Sequence, residues 1–471
     1  MRKTKVICTI GPASDDEATL IEMAKAGMNV ARCNFSHGDH EQHQARIDMI
    51  KKVREELNLP IAIMLDTKGP EYRIGLFREN EVFLEKGDSF VFTTDDVLGD
   101  KDKVSVSYKK LPEELEVGDT ILVNNGLVIF EVTQIDGPNI VTIVKEGGKL
   151  SNRKSMSFPN KHLKQDFLSD YDKSDLLFGI KNDVDFVAAS FVSCKEDMLQ
   201  MRDFLNANGG EEIEIIAKIE NRFGVDNIKE ICEIADGIMV ARGDLGVEVP
   251  FIEVPAIQKA LIKKCRLMGK VVITATEMLE SMINNPRPTR AEISDVANAV
   301  YDGSSAIMLS GESAGGKYPV EATRTMANIA EYTEQQINYA KLFRETNFEI
   351  RNAVDAVSHA TCEMALDVGA KAIVCSSISG STVKMVARFR SPIDILGVTT
   401  SEKVWYKLAM SWGVTPMMTG TYNHTTPMLN NALFLATNTF HLRQGDYVII
   451  TGGSVGARRG ATDLIKLDIV Q

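Results

Sequence analysis

A lysine and two carboxylates stand at the ends of two neighbouring apolar runs. Lys218, Ile219 and Glu220 close the first run, and Asp244 follows the second. If both runs are strands, alternation turns Lys218 and Glu220 to the same side, and adjacent strands bring Asp244 to the same edge. Carboxylate oxygens suit Mg2+ or Mn2+, which also binds water or substrate oxygens, and a neighbouring ammonium completes a phosphate clamp. The pattern predicts phosphoryl transfer assisted by a divalent cation. A structural ion pair is the alternative.

Other polar residues follow apolar runs in the same way. Where strands close into a barrel, side chains at their carboxyl ends converge on one pocket, so these residues are candidates for one site. Any single member can equally be a helix cap or a loop contact, and the convergence of the group favours function. The group comprises Arg32, Asn34, Ser36, Asp66, Thr67, Ser190, Arg242, Gly243, Thr276, Ser310 and Glu312.

The elements that must position these residues alternate between strand and helix. Eight short apolar runs are predicted as strands, and helical periodicity, as in 39–57, 195–206 and 252–268, separates most of them. The run from Ser14 to Glu17 has the capping-box pattern and predicts the start of the first helix. This alternation predicts an α/β fold of the (β/α)8 TIM barrel type. The predicted strands are 5–10, 29–33, 61–65, 186–190, 213–217, 237–241, 271–275 and 306–309.

One interval interrupts the barrel pattern, and a further segment follows the barrel. After Pro70, alternating strand patterns predict an inserted β-barrel-like domain in a βα loop, where it can act as a lid. Within it, Asn124-Asn125-Gly126 is a strong hairpin signal. The last segment alternates helices and strands and predicts a separate C-terminal α/β domain. We expect barrel parts at 1–69 and 169–345, the lid at 70–168, and an effector and assembly domain at 346–471.

Composition excludes several classes of protein. The net charge of -12 argues against general nucleic-acid binding, which needs a basic face. No window approaches the roughly 18 apolar residues of a membrane span, and the first apolar run is too short for a secretory signal. The seven cysteines are scattered without a Cys-x-x-Cys pair, so neither a disulfide framework nor a zinc site is indicated. We therefore expect a cytoplasmic protein.

Two patterns resemble ligand sites and fail on chemistry. His37, His40 and His43 have a spacing that suggests a metal face, but no ordered carboxylate or cysteine accompanies them, and a solvated helix surface is the preferred interpretation. The run 311–317 matches the first part of a phosphate-binding P-loop. Tyr318-Pro319 stands where the Mg-binding serine or threonine should open the helix, so the P-loop interpretation is rejected.

Eight motifs stand in fixed order through nearly the whole chain, at the predicted strand ends. They are Thr9-Ile-Gly-Pro12, Arg32-Cys-Asn-Phe-Ser-His-Gly38, Leu65-Asp-Thr-Lys-Gly-Pro-Glu71, Ile216-Ala-Lys-Ile-Glu-Asn221, Met239-Val-Ala-Arg-Gly-Asp-Leu-Gly246, Ile273-Thr-Ala-Thr276, Pro286-Arg-Pro-Thr-Arg-Ala-Glu292 and Met308-Leu-Ser-Gly-Glu312. Together they resemble the pyruvate kinase family. The resemblance implies transfer of a phosphoryl group from phosphoenolpyruvate to ADP, giving pyruvate and ATP in glycolysis.

The resemblance also implies a role for each matching position. Glu220 and Asp244 would bind the divalent cation that bridges phosphoenolpyruvate, and Lys218 would neutralise the phosphoryl group in flight. Thr276 lies where the family relays a proton to the enolate carbon, and a water chain is the more plausible donor. The implied substrate-binding set is Arg32, Ser190, Lys218, Gly243, Asp244 and Thr276, and the implied nucleotide contacts are Pro12, Asn34, His37 and Arg73.

A monovalent-cation site is implied as well. Asn34, Ser36, Asp66 and Thr67 resemble the family's K+ site, and their oxygens suit that ion. Glu71 agrees with this assignment, since potassium-independent relatives resemble a version with lysine there.

Several positions depart from the family pattern. The lid hairpin has asparagines at 124 and 125 where the family usually has aspartates, which removes carboxylates expected to pair with a barrel arginine, here Arg73, on closure. Ser193, Glu277 and Ser305 replace a common arginine, glutamine and aspartate. These departures leave open a catalytically weak phosphoenolpyruvate-binding or regulatory protein. A third hypothesis is an aldol lyase using a metal enolate, but the pairing of Lys218 with Arg32 favours phosphoryl transfer.

A second anion site is predicted in the last segment. The run 377–382 ends a strand and opens a helix, so its hydroxyls and amides can hold a phosphate, with a late glycine-rich loop closing over it. The alternative is a helix cap beside a solvated loop. The family places a sugar-phosphate effector in such a pocket, and it also suggests a homotetramer. The effector candidates are Ser377, Ser379, Gly380, Ser381, Thr382 and Arg459.

Overall fold

The first three strands belong to a closed barrel. The structure is a computed structural model that describes all residues except 160, 162, 165 and 457–459. The expected capping box at Ser14 is wrong. Asp16 is the N-cap of the first helix, because Ser14 belongs to a preceding turn in which its amide donates to the Gly11 carbonyl at 2.8 Å. The elements are β1 (Lys5–Thr9), α1 (Glu17–Ala26), β2 (Val30–Asn34), α2 (His40–Glu56) and β3 (Ala62–Asp66).

The inserted domain follows β3 and has its own apolar core. Seven of its strands form one sheet, in the order β4-β12-β8-β9-β10-β6-β7, and a bridge between Ile74 and Val106 joins the two edges, so the sheet is barrel-like. The elements are β4 (Tyr72–Arg73), β5 (Glu81–Leu84), β6 (Ser89–Thr93), β7 (Lys103–Ser105), α3 (Leu111–Glu114), β8 (Thr120–Val123), β9 (Val128–Asp136), β10 (Asn139–Glu146), β11 (Gly148–Ser151) and β12 (Ser155–Ser157).

Two sequence expectations fall within this domain. The hairpin is confirmed, because β8 and β9 pair antiparallel and the turn between them has φ of 56° at Asn125 and 76° at Gly126. Positive φ at both central residues is what a tight hairpin turn requires. The assignment of Arg73 as a barrel arginine is wrong. Arg73 lies in an edge strand of the inserted sheet, where it pairs with Glu71 at 2.5 Å.

The remaining strands complete an all-parallel closed barrel in the order β1-β17-β16-β15-β14-β13-β3-β2. All eight predicted barrel strands are therefore confirmed. The elements are α4 (Asp170–Lys181), β13 (Phe186–Ala189), α5 (Lys195–Ala207), β14 (Glu214–Ile219), α6 (Arg222–Asp226), α7 (Ile228–Ile234), β15 (Gly237–Ala241), α8 (Arg242–Glu248), α9 (Val254–Leu267), β16 (Val271–Ala275), α10 (Arg290–Asp302), β17 (Ala306–Leu309), α11 (Gly311–Ala314), α12 (Pro319–Gln335) and α13 (Tyr339–Glu345).

The C-terminal segment forms a five-stranded sheet in the order β20-β19-β18-β21-β22, with apolar clusters on both faces. The last pair is antiparallel and the others are parallel. The sequence had not indicated α16, β20 or α17. The elements are α14 (Ala353–Asp367), β18 (Ala372–Ser376), α15 (Ser381–Arg388), β19 (Asp394–Thr399), α16 (Glu402–Leu408), β20 (Val414–Met418), α17 (Thr425–Phe440), β21 (Tyr447–Gly452) and β22 (Leu464–Ile469).

The barrel register decides which polar residues meet. Arg32 near the end of β2 lies beside β3, Asn34 pairs with Asp66, and Lys218 near the end of β14 pairs with Met239 of β15. All of these positions lie at the carboxyl ends of the strands, the face where barrel enzymes carry their sites. In the part of the chain that the structure describes, no helix has the length and apolar character needed to cross a bilayer.

Candidate active site

Lys218 is the centre of a buried cluster of charges. Its ammonium lies 2.6 Å from the Ser190 hydroxyl, 2.9 Å from Glu220 Oε1 and 3.1 Å from Asp66 Oδ1. Burial disfavours the charged form, but the two carboxylates outweigh it and raise the pKa of Lys218 above its usual range. The residue therefore presents a fixed positive charge at the end of β14.

Arg32 supplies a second positive charge through Asp66. Its Nε lies 2.6 Å from Asp66 Oδ2, and its Nη1 donates to the Thr9 hydroxyl at 2.8 Å. Asp66 is completely buried. Although burial opposes ionisation, Arg32 and Lys218 hold the pKa of Asp66 below its usual range. One carboxylate thus orients two cations at the mouth of the barrel.

Glu220 has the environment of an incomplete metal ligand. Its Oε2 accepts the Phe191 amide at 2.6 Å, while its buried Oε1 has the Lys218 ammonium, 2.9 Å away, as its one partner among the described residues. Burial raises the pKa of Glu220 to about 7, Lys218 opposes that rise, and the charge of Asp244 adds to it. A cation between Glu220 and Asp244 would relieve this cost.

Asp244 lies in the first turn of α8, immediately after β15, and is exposed to the cleft. Among the residues that the structure describes, no group of three His, Cys, Asp or Glu side chains could hold a metal alone. Two carboxylates leave open the other positions of a Mg2+ ion, which commonly binds substrate oxygens and water as well. The donor set therefore fits Mg2+ that is shared with a substrate.

Thr276 has a strained backbone beside the cluster. Its φ of 67° is rare for a β-branched residue, and such strain persists where the surroundings enforce it. Its hydroxyl accepts the Gly243 amide at 2.8 Å and donates to the Ala275 carbonyl at 2.6 Å. Arg242 donates to the Thr276 carbonyl at 2.6 Å and is held by Asp295 at 2.7 Å. The arrangement fixes a hydroxyl and an amide at the same point.

The expected K+ ligands follow β2 and β3. The Asn34 side-chain oxygen accepts the Ser36 amide at 3.2 Å, and Ser36 is exposed. Thr67 is buried, with its hydroxyl donating to the Ala188 carbonyl at 3.3 Å. Asp66 belongs at the same time to the Arg32 and Lys218 cluster. The structure therefore brings Asn34 and Asp66 side by side, with Ser36 and Thr67 immediately following their strands.

Two clefts open beside the cluster. One, of about 340 Å³, lies between the inserted domain and the barrel, and its lining includes Arg73, Asn125 and Asp244. The other, of about 1040 Å³, lies outside α8 and includes Arg242, Asp244 and Thr276 in its lining. The nucleotide candidates Pro12 and His37 are exposed and line neither cleft.

The expected solvated helix surface is wrong for His43, and the histidines of the rejected metal face make separate contacts. His43 is buried, stacks on Phe35 with centroids 3.8 Å apart, and contacts the His37 carbonyl at 2.9 Å. Burial lowers the pKa of His43. His40 lies 2.7 Å from Asp175.

The expected effector loop lines a cavity of about 220 Å³ in the C-terminal domain. Ser377 and Ser379 are among its lining residues. Gly380 has φ of 77° at the start of α15, and the Ser381 hydroxyl lies 3.0 Å from that of Ser379. Thr382 is buried, and its hydroxyl lies 2.7 Å from that of Thr462 instead of facing the cavity. Arg459 lies outside the described residues.

Sequence reasoning missed two participants in the cluster. Thr9 binds Arg32 and ends β1, so the strand-end argument that selected the other residues could have found it. Phe191 contributes its backbone amide to Glu220 from a left-handed conformation with φ of 57°. Its side-chain type carries no signal for that role.

A barrel with a buried lysine and carboxylate cluster at its catalytic face, and with an inserted β domain beside that cluster, is the architecture of a barrel phosphotransferase. Residues 1–323 match the family model described as "Pyruvate kinase, barrel domain", and residues 355–467 match "Pyruvate kinase, alpha/beta domain". The chain belongs to the pyruvate kinase family, and it is a phosphotransferase.

Individual relatives agree with this assignment. A pyruvate kinase of Clostridium acetobutylicum is 47% identical, with both chains covered completely. One of Geobacillus stearothermophilus is 46% identical and covers all of this chain and 80% of its own. The crystal structure of a pyruvate kinase from Cryptosporidium parvum superimposes with a TM-score of 0.94 at 37% identity, covering 99% of this chain and 96% of that one.

Proposed function

We propose that this chain transfers the phosphoryl group of phosphoenolpyruvate to ADP in glycolysis, giving pyruvate and ATP. The observation that carries the proposal is the buried Lys218 ammonium, held by Asp66 and Glu220 at 3.1 Å and 2.9 Å. Phosphoryl transfer needs little covalent work from the protein, and preorganised positive charge lowers its barrier. The aldol lyase hypothesis has no comparable use for this lysine.

Glu220 and Asp244 would hold Mg2+ or Mn2+. The support is the buried Oε1 of Glu220, whose one partner among the described residues is the Lys218 ammonium, and the pKa of about 7 that burial imposes on this carboxyl. When bound, the cation supplies charge that neutralises phosphoryl and carboxylate oxygens of the substrate. The chain's own contribution is to keep the two carboxylates at the ends of adjacent strands.

Substrate binding would use the groups around this pair. Lys218 would contact the moving phosphoryl group, with Arg32 as a second cation and Ser190 orienting the lysine. The Gly243 amide and the Thr276 hydroxyl now bind each other at 2.8 Å, and both could turn to a substrate carboxylate. Thr276 would also orient the water that delivers a proton to the enolate carbon, since its hydroxyl is too weak an acid to donate directly.

ADP would enter the cleft between the inserted domain and the barrel. Arg73 lines this cleft, whereas Pro12, Asn34 and His37 are not among its lining residues and would contact the part of the nucleotide that extends beyond it. K+ would bind near Asn34, Ser36, Asp66 and Thr67, whose oxygen donors suit a monovalent cation. Closure of the inserted domain would exclude water from the reaction.

The C-terminal domain would bind a sugar phosphate at the 220 Å³ cavity and take part in a homotetramer. Its serine-rich loop at the start of α15 offers hydroxyls and amides for a phosphate.

The cysteines are free thiols, which suits a cytosolic location. The proposed domain limits are 1–69 and 169–345 for the barrel, 70–168 for the lid and 346–471 for the C-terminal domain.

Pyruvate formation from phosphoenolpyruvate and ADP tests the reaction. Turnover should require Mg2+ or Mn2+ and should fall when K+ is replaced by an organic cation. Absence of turnover under all these conditions would favour the regulatory-protein alternative. A panel of sugar phosphates should include one that shifts phosphoenolpyruvate saturation to lower concentration, with a smaller shift in Ser379→Ala. An unchanged curve across the panel would exclude the effector site.

A further inference from the structure

A small cavity of about 20 Å³ lies between the barrel and the C-terminal domain, on the face opposite the catalytic cluster. The barrel contributes the end of α9 and the residues preceding β16 and β17. The C-terminal domain contributes the last turns of α15 and the residues preceding β20. The polar and aromatic lining residues used below are Arg266, Lys270, Ser305, Lys384, Arg388, Arg390, Ser411 and Trp412.

The positive charge of this cavity is only partly balanced. Five of its lining side chains are cationic. Lys384 pairs with Glu214 at 2.5 Å, and Arg388 pairs with Asp355 at 3.0 Å. Within the described parts of the chain, no carboxylate lies within 4.0 Å of the other three cations, which are Arg266, Lys270 and Arg390. Unbalanced charge in a partly buried site is costly unless a counter-ion is present.

Arg390 is the most buried of the three cations that lack a carboxylate partner. It is only 4% exposed. Its Nη2 donates to the Gly303 carbonyl at 3.0 Å and to the Ser305 hydroxyl at 2.9 Å, and its guanidinium lies 4.5 Å from the ring centre of Trp412. Its Nε is buried and has no hydrogen-bond partner among the described residues. One donor of a buried guanidinium is therefore available for a ligand.

Two further buried groups lack partners in the described structure. The Ser411 hydroxyl, on a residue that is 3% exposed, makes no hydrogen bond, and neither does Arg266 Nε. Burial lowers the pKa of Arg266, while burial and the charge of Arg266 lower the pKa of Arg390 to about 9. The charges of the two guanidiniums thus repel each other, and both residues line the cavity.

The carboxyl ends of α9 and α15 compensate part of the unpaired positive charge of the cavity. Arg266 and Arg388 lie in the last turns of these helices, where the helix dipole offers the equivalent of about half a negative charge. Such partial charges stabilise exposed cations by roughly 0.3–1 kcal/mol, which is small against the cost of an unpaired buried ion. The helix ends therefore do not balance the cations fully, and a bound anion would still stabilise the cavity.

We propose that this cavity binds a small inorganic oxyanion of the phosphate type. Guanidiniums bind oxyanions through paired hydrogen bonds, and the free Nε of Arg390 and Arg266 together with the Ser411 hydroxyl supply the donors. The cavity volume of about 20 Å³ is close to the roughly 10–15 Å³ that one water needs, so the ion would lie partly at the mouth of the cavity, and a nucleotide or a sugar is excluded. The bound ion would join α9 of the barrel to the segment after α15 of the C-terminal domain.

Thermal unfolding with inorganic phosphate tests the proposal, with KCl at matched ionic strength as the reference. Phosphate should raise the unfolding temperature of the wild type, and Arg266→Gln should weaken phosphate binding at least about tenfold. Without phosphate, Arg266→Gln should be at least as stable as the wild type, because it removes repulsion from Arg390. The matched control is Arg443→Gln, since Arg443 is exposed and is not among the residues that line the cavity.

Ser305→Asp gives an independent test. Its carboxylate would lie beside Arg390 and replace the ion, so the variant should be stabilised without phosphate and should lose the response to it. A crystal soaked in arsenate should show the anomalous signal of arsenic between Arg266 and Arg390. Equal phosphate responses in the wild type, Arg266→Gln and Ser305→Asp would overturn the proposal, as would a wild-type response no larger than that to KCl.

Discussion

Replacing Lys218 with methionine removes the buried cation from the catalytic cluster while keeping a side chain of similar length. The ammonium now contacts Ser190, Asp66 and Glu220 within 3.1 Å. In the variant, Asp66 keeps Arg32 at 2.6 Å, but Glu220 loses its ion pair. Because burial already raises the pKa of Glu220 to about 7, this carboxyl should become protonated in the metal-free variant instead of remaining an unpaired charge.

The size of the effect follows from the lost charge. A unit charge about 4 Å from the transferring phosphoryl group, at an effective dielectric constant of about 20, is worth about 4 kcal/mol. That energy corresponds to about a thousandfold in rate. Protonation of Glu220 should keep the loss of stability below the roughly 3–5 kcal/mol expected when one partner of a buried ion pair is removed.

The assay is pyruvate formation at saturating phosphoenolpyruvate, ADP, Mg2+ and K+, with thermal unfolding measured in parallel. Lys52→Met is the matched control, because Lys52 is exposed and pairs with Glu17 on the surface at 2.6 Å. We expect kcat to fall about a thousandfold in Lys218→Met and to stay within about twofold of wild type in the control. Undiminished turnover in folded Lys218→Met would refute the role of this lysine.

Three further predictions concern individual backbone and side-chain states. Burial raises the pKa of Asp175 from 3.8 to about 6, so folding favours its neutral form, and the wild type loses stability as the pH rises from about 4 through 6. Over that range, urea titrations should show the unfolding free energy of Asp175→Asn rising by up to about 3 kcal/mol relative to that of the wild type. An unchanged difference would contradict this. Thr276→Gly should lower pyruvate formation while changing the unfolding free energy by less than about 1 kcal/mol, because relief of the strained φ offsets the lost hydroxyl hydrogen bonds and the chain entropy of glycine. A loss of stability well above that, equal to the one in Thr276→Ala, would contradict stored strain. Asn125→Val should speed hydrogen exchange in the hairpin, because a β-branched residue at φ of 56° costs about 1–3 kcal/mol, whereas Asn125→Gly should not.

The barrel was predictable because each strand is a short apolar run followed by a polar residue. Lys218 and Glu220 alternate about a buried isoleucine, and this pattern alone was sufficient to place them together. The C-terminal strand β20 was missed, because Val414–Met418 contains a proline, is partly exposed and lies at the sheet edge. Proline is tolerated at such an edge, but it weakens the strand signal in the sequence.

Tertiary contacts explain the other differences. Ser14 has the residue type and spacing of a helix cap, yet it lies in a turn closed by backbone hydrogen bonds, and Asp16 caps α1 instead. Arg73 follows a barrel strand closely in sequence, but pairing between β4 and β12 draws it into the inserted sheet. The Phe191 amide serves Glu220 through backbone conformation. No pattern of side-chain types reports a contact of that kind.

The positions of the tryptophans decide which part of the molecule intrinsic fluorescence reports on. The chain has two tryptophans, Trp405 and Trp412, and both lie in the C-terminal domain. Trp412 packs against Arg390 at 4.5 Å, and Trp405 has a buried indole nitrogen with no hydrogen-bond partner among the described residues. Intrinsic fluorescence excited at the indole band therefore reports on this domain and its border with the barrel. A spectral change on adding phosphoenolpyruvate would be direct evidence that the catalytic face communicates with the opposite end of the barrel.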